Sequence, residues 1–158
     1  MKRLLSTNPH NSLALVARLI LAIVLFPHGA QKLFGWFGGF GFTGTMGFLT
    51  GQAHLPYIIA LLVICIEFFG SLLLLTGFLT RIAAVAVIIN FLGVVFKNHI
   101  QNGFFMNWGG TQKGEGVEYF ILLFGLAIIV LIAGGGMASI DASISKNSGT
   151  NVTRASVS

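Results

Sequence analysis

Carboxylates are scarce in this sequence: four Asp and Glu stand against nine Lys and Arg, and charged residues make up 8% of 158. Soluble domains carry about a quarter, so an ordinary water-soluble fold is excluded. Cysteine is scarcer still. Cys65 stands alone, which rules out an intramolecular disulfide and a CxxC redox pair within the chain. Its simplest reading is a small buried hydrophobe. No zinc-type ligand spacing and no glycine-rich dinucleotide fingerprint occurs. The surplus of +5 is spread over the termini and the ends of apolar runs. It speaks of membrane topology, with no nucleic-acid partner.

What the chain has in quantity is apolar surface. Hydrophobic residues make up 55%, with a mean hydropathy of +0.90, and they collect in four runs, roughly 13–33, 57–76, 82–96 and 117–133. The second run, YIIALLVICIEFFGSLLLLT, matches the roughly 20 residues that cross a hydrocarbon core at ~1.5 Å rise each. The pattern predicts one all-α domain, an integral membrane four-helix bundle over 13–141. A cytoplasmic arm, 1–12, precedes it, and a disordered Ser/Thr/Asn-rich tail, 142–158, follows. The first run has the outline of a signal peptide. Arg18 interrupts it and no A-x-A-like site follows, so it is expected to be retained as a span.

Each run has a face of small residues around a polar one. In the second run Glu67 shares its face with Ala60, Gly70, Ser71, Leu74 and Gly77. An ionisable group near mid-membrane faces protein or a wet cavity and has a partner. In the first run Arg18, Ala22, Leu25, Gly29 and Lys32 align, and Pro27 is expected to kink the helix just before His28. In the third run the aligned set is Ala83, Ala86, Asn90, Gly93 and Lys97. Asn90 most simply hydrogen-bonds between helices. Lys32 either snorkels to the interface or belongs to a site.

Between the first two runs, residues 35–55 hold seven glycines among Trp36, Phe37, Phe40, Phe42 and Phe48. This stretch predicts an interfacial segment with a short helix from near Thr43 to Gly51. The loop before the fourth run mixes His99, Asn102 and Lys113 with Phe104, Phe105 and Trp108. Glu115 and Glu118 then stand where a helix N-terminus favours anions. With the N-terminus inside, Lys2, Arg3, Arg81, Lys146 and Arg154 gather on one side of the membrane. Lys32, Lys97 and Lys113 lie on the other, so both termini are expected in the cytoplasm.

Helical side chains lean towards their own N-terminus. On antiparallel spans this brings His28 and Lys32 towards Glu67, with Asn90 beside them, and turns Arg18 away to snorkel at the cytoplasmic interface. The candidate pocket is therefore His28, Lys32, Glu67, Asn90, Lys97, His99, Glu115 and Glu118, in the outer half. These residues offer a quinone or another lipophilic carbonyl compound an apolar slot, hydrogen-bond donors and a proton route. They include no electron carrier, and the spacing of His28 and His99 does not favour haem ligation.

Three sets of residues carry a resemblance. They are Arg18 followed by His28-Gly29 and Lys32, the Glu67-x-x-Gly70 run leading to Gly77, and Gly134–Gly136 with Ser139-Ile140-Asp141. In this order on four apolar runs, the chain resembles the DoxX family, small four-span membrane proteins related to the DoxD subunit of thiosulfate:quinone oxidoreductase. The resemblance covers about residues 13–141. It implies a bacterial inner-membrane protein loosely classed as an oxidoreductase, in some members tied to sulfur or thiol redox complexes. Three functions fit: a membrane binder or accessory subunit for a lipophilic ligand, a redox enzyme or subunit of a quinone-linked complex, and a structural protein whose polar residues only specify helix pairing. The bilayer is the first partner in each case. A membrane redox partner or a second copy of the chain suits the first two.

Overall fold

A computed structural model describes residues 5–145, which are helical and contain no strand among the described residues. Helix α1 spans Ser12–Phe34. The short α2 spans Gly41–Gly47 and continues into a wider π-type turn, Phe48–Gln52. Helix α3 spans Tyr57–Thr76, α4 spans Thr80–Val94, and α5 spans Glu118–Ala133. A second π-type turn, Val95–His99, and a 3₁₀ turn, Ile100–Asn102, extend α4. Helices α1, α3 and extended α4 are long and apolar enough to cross a membrane; α5 is equally apolar but only 16 residues long.

The helix boundaries follow from local chemistry. Asn11 caps α1 by accepting from the Ala14 N–H at 3.0 Å, and Gly35, with φ 76°, ends it in the left-handed conformation that glycine adopts freely. The α1 helix runs unbroken through Pro27. Pro56 precedes α3, where a missing N–H does little harm. Gly77 closes α3 at φ 71° and starts the tight turn into α4.

The long helices alternate in direction and pack in a closed ring, with α1 against α3 and α5, and α4 against α3 and α5. Inside the ring Leu21, Leu25, Leu74, Val87, Phe120, Leu123 and Val130 form the main apolar core. A smaller cluster, Met46 with Ala60 and Ile64, seats α2 on α3. The outside of the ring is also apolar: Ile20, Ile23, Leu62, Phe69, Ile89, Leu122 and Ile132 are all exposed. A perimeter of that kind suits lipid and not water.

Small residues set the spacing between helices. A Cβ added to Gly29 would lie 2.5 Å from the backbone of Phe68, so α1 and α3 cross in near backbone contact at Glu67–Phe68. The face expected for α3 is the one buried, with Ala60, Ile64, Glu67, Gly70, Ser71 and Leu74 inside. On α4 the buried face is Ala83, Ala84, Val87, Asn90 and Phe91. Gly93 and Lys97 stay exposed, so the end of that expected face opens outwards.

Both described ends of the chain are ordered against the bundle. Residues 5–11 dock on the bundle: Thr7 Oγ1 donates to the Ala133 carbonyl at 3.0 Å and Arg81 donates to the Ser6 carbonyl at 3.1 Å. Residues 140–145 are helical and bury Ala142, so order continues past Asp141. Residues 1–4 and the rest of the expected tail lie outside the described residues.

Candidate functional site

Two polar clusters sit at opposite ends of the ring. Where residues 5–11 and 134–145 meet, Arg18 is 1% exposed, and its guanidinium meets backbone carbonyls on all three nitrogens. Nε donates to Gly135 at 3.0 Å, Nη1 to Leu74 and Leu75 at 2.7 and 2.8 Å, and Nη2 to Met137 and Ala138 at 3.3 and 3.0 Å. The Leu74 and Leu75 carbonyls belong to the last turn of α3, where acceptors run short of backbone donors; Leu74 also accepts from the Gly77 N–H at 3.2 Å. The expected snorkelling of Arg18 is therefore overturned. Its side chain does lean towards the helix N-terminus, but the glycine turn 134–136 folds back and covers that end with carbonyls.

The counter-charge is Asp141, also 1% exposed. Its carboxylate accepts from the Leu79 N–H at 2.9 Å, the Thr80 N–H at 3.0 Å and the Thr80 hydroxyl at 2.7 Å, and so caps α4. A Cβ at Gly77 would collide with Ser139 and with Nη1 of Arg18. Five sequence signals (Arg18, Gly77, the glycine triplet, Ser139 and Asp141) thus make one cross-link.

At the opposite end Lys32 Nζ donates to Glu67 Oε2 at 2.6 Å. The near backbone contact at Gly29 makes this possible, since it brings α1 within one side-chain length of α3. Glu67 is 2% exposed. The Lys32 side chain remains 28% exposed and lines a cavity of about 300 Å³ with Gly38, Gly39, Phe40, Thr45 and Phe48. An ammonium has three donors. Among the described residues Lys32 uses one of them, leaving two for whatever occupies the cavity.

The other six candidates divide. His28 is exposed on the flank of α1 and makes no hydrogen bond to Glu67, although it feels the charges of both Lys32 and Glu67. Asn90 neither joins Glu67 nor bonds between helices: its Nδ2 is buried and has no partner among the described residues, which corrects both expectations for it. With Lys97 it lines a separate cavity of about 230 Å³ between α3 and α4. The remaining three organise the loop before α5. His99 Nδ1 lies 2.8 Å from the Glu115 carbonyl, Glu115 Oε2 accepts from the Asn107 N–H at 2.6 Å, and Glu118 Oε1 accepts from the Trp108 indole at 3.2 Å. Cys65 is half-buried and free.

Tyr119, in the first turn of α5, is the residue the pattern of polar faces does not flag. It feels the charge of Glu67 across the ring, and its only sequence signal is adjacency to Glu118. Among the described residues no three His, Cys, Asp or Glu converge on a common point.

The DoxX family model matches residues 13–108, a segment that contains Arg18, the Lys32–Glu67 pair, Asn90 and Lys97. The chain is also similar to the inner membrane protein YphA of Escherichia coli K12, with 25% identity over 132 residues, covering 82% of this chain and 88% of that one. No solved structure matches it. An apolar-rimmed ring of helices and a family match over more than half the length agree: this is an integral membrane protein, and it belongs to the DoxX family.

Proposed function

We propose that the protein binds a lipophilic ligand bearing an acceptor oxygen, of which a quinone is one example, in the polar pocket at Lys32, as a membrane binder or accessory subunit. The observation that carries this reading is Lys32 itself, a cation held by a buried Glu67, with two donors unused among the described residues and a cavity beside it. A purely structural pair has no need of that cavity. A second reading, a subunit of a quinone-linked redox complex, draws support from the mutual electrostatic reach of His28, Lys32 and Glu67. Quinone reduction takes up protons, and a partner protein would supply the electrons.

The same proposal places α5 as a fourth, short span, because its packing on α1 and α4 keeps it within the ring. At ~1.5 Å per residue it covers ~24 Å, less than the ~30 Å hydrocarbon core. It places residues 35–55 at the outer interface and both termini in the cytoplasm of a bacterial inner membrane. The charge distribution and the inner-membrane relative support this placement. A reporter active only in the cytoplasm should work at the C-terminus and fail at Gln112; the reverse would invert the topology.

The binding reading is tested on detergent-purified protein with a short-chain quinone, read by thermal shift and by mass spectrometry of co-purified small molecules. Wild type should be stabilised by the quinone, and Lys32→Gln and Glu67→Gln should respond at least ~10-fold more weakly, the loss of about 1.4 kcal/mol expected for one charge-assisted hydrogen bond. Full binding by both variants would sink the assignment. Bound quinone that changes redox state only when a partner enzyme is added would favour the second reading.

A further inference from the structure

Threonine hydroxyls inside helices commonly bond to the carbonyl one turn back, and two in this chain do so. Thr50 donates to the Met46 carbonyl at 2.8 Å and Thr76 to the Leu72 carbonyl at 2.9 Å. Thr45, on α2, does not. It is 6% exposed, and its hydroxyl bonds nothing among the described residues. A buried hydroxyl without a partner is unfavourable. It is not sealed in either: among the described residues the unpartnered side-chain atoms closed off from solvent are Arg81 Nε and Asn90 Nδ2. Thr45 instead lines the Lys32 cavity.

The two polar groups of that cavity stand on different helices, Lys32 in the last turn of α1 and Thr45 on α2. Each is held in place by its neighbours. Met46, next to Thr45, packs on Ala60 and Ile64 of α3 and so seats α2. The loop wall at Gly38 and Gly39 is pinned to α1: Gln31 Nε2 donates to the Phe37 carbonyl at 3.2 Å, and a Cβ at Gly39 would collide with the Gln31 backbone. Gln31 also lines the cavity, but its amide nitrogen is committed to that strap. Phe40, Phe48 and Leu49 make the remaining lining apolar. An ammonium with two unused donors and a hydroxyl with its whole capacity unused therefore line one space.

We propose that Thr45 is the second hydrogen-bonding contact for the ligand taken by Lys32, so that the site selects lipophilic compounds bearing two oxygens over those bearing one. This rests on the reading of the Lys32 cavity as a binding site and adds its selectivity. Lys32 donates to one oxygen and Thr45 bonds the other. An ammonium only donates, whereas a hydroxyl donates and accepts, so the Thr45 side takes a carbonyl or a hydroxyl. A compound with a single oxygen leaves one of the two groups unpaired, which is how polar sites reject an analogue lacking a polar group. Because the two contacts come from separate helices, the bound molecule ties α2 to α1.

The test uses the full chain in detergent with two probes, duroquinone, which has two carbonyl oxygens, and isophorone, a methylated cyclic ketone with one. Affinity is read by calorimetry. Thr45→Val keeps the side-chain shape and removes the hydroxyl. Duroquinone should then bind about fivefold more weakly, the loss expected for one neutral hydrogen bond, while isophorone binds as it does to wild type. Thr45→Ser should restore duroquinone binding. At saturating duroquinone, hydrogen exchange over α2 should slow in wild type and stay at the ligand-free rate in Thr45→Val. Equal weakening of both probes, or equal protection of α2 in both proteins, would overturn the proposal. So would wild-type affinity of Thr45→Val for duroquinone, which would mean that water satisfies the hydroxyl. Lys32→Gln separates this inference from the reading beneath it. Weaker binding of both probes keeps the Lys32 site even where the Thr45 result fails; unchanged binding, or no duroquinone binding by wild type, sinks both.

Discussion

At one end of the ring a buried arginine donates to five carbonyls; at the other, among the described residues, a lysine uses one donor of three and an asparagine amide nitrogen bonds nothing. Both ends hold polar groups that an apolar bundle would otherwise exclude. The difference lies in saturation. A polar group whose capacity is filled by the chain's own backbone has a structural job. A polar group with capacity left over, beside a cavity, has room for a ligand. By that criterion the Arg18–Asp141 end is the clamp of the fold, and the proposed binding is assigned to the Lys32–Glu67 end.

The clamp gives the largest predicted effect. Arg18→Ala leaves the Leu74, Leu75, Gly135, Met137 and Ala138 carbonyls without this donor and Asp141 without its cation. The loss should reach or exceed the ~3–5 kcal/mol typical of breaking a buried charge pair, seen as failure to recover folded protein or a collapse of the apparent melting temperature. Arg18→Lys should rescue little, because three donors on a point charge cannot replace a five-donor fork. A melting curve for Arg18→Ala close to wild type would remove the distinction between the two ends.

The ion pair should behave differently. Lys32→Met alone strands Glu67 in an apolar ring and should cost roughly 3–5 kcal/mol. The double variant Lys32→Met with Glu67→Leu should recover most of that, since well-packed apolar residues replace buried ion pairs at little loss. Ligand binding should not recover with it. The recovery of stability without binding, measured by melting and quinone thermal shift on the same preparations, is what separates a site from a clamp. Double-variant recovery of both would make the pair purely structural.

Gly29 connects the crossing of α1 and α3 to the site. Gly29→Ala places a methyl on the Phe68 backbone and should cost on the order of 1–3 kcal/mol as overpacking. Because α1 moves away from α3, the Lys32–Glu67 bond should lengthen, and quinone response should fall with the melting temperature. A stable Gly29→Ala variant with full response would show that the helices can part without disturbing the pair.

Much of this arrangement is legible in the sequence, and what is hidden has a physical reason. Helical periodicity places Glu67 on the right face, bounds α3 to the residue, and the lean of side chains brings Lys32 to Glu67. The same lean is correct for Arg18, yet its surroundings are not, because the rule assumes water beyond the helix end. Residues 134–138 lie more than a hundred positions away and supply carbonyls there instead. The Gly134–Gly136 triplet with Asp141 is the trace of that cover. Asn90 misleads for the opposite reason. Its small-residue face suggests close packing, but Gly93 and Lys97 splay open beside the Phe48–Gln52 turn, and the expected helical partner never arrives. Tyr119 comes within range of the Glu67 charge only through closure of the ring, which no local pattern encodes.

The smallest predicted effect is the sharpest test of the comparison, because its sign is unusual. Replacing a buried polar residue normally destabilises, and Asp141→Asn should do so by weakening the bonds to Leu79 and Thr80 and removing the counter-charge of Arg18. Asn90→Leu removes an amide nitrogen that bonds nothing and puts an apolar side chain of similar size beside Ile89 and Val63, which line the same cavity. In lipid-free detergent, stability should stay level or rise by up to about 1 kcal/mol, since an unsatisfied buried donor is a liability of about 1–3 kcal/mol and the new packing is imperfect. Destabilisation of Asn90→Leu in detergent by as much as Asp141→Asn would mean that the amide has a structural partner after all, and that the two ends of the ring do not differ in kind.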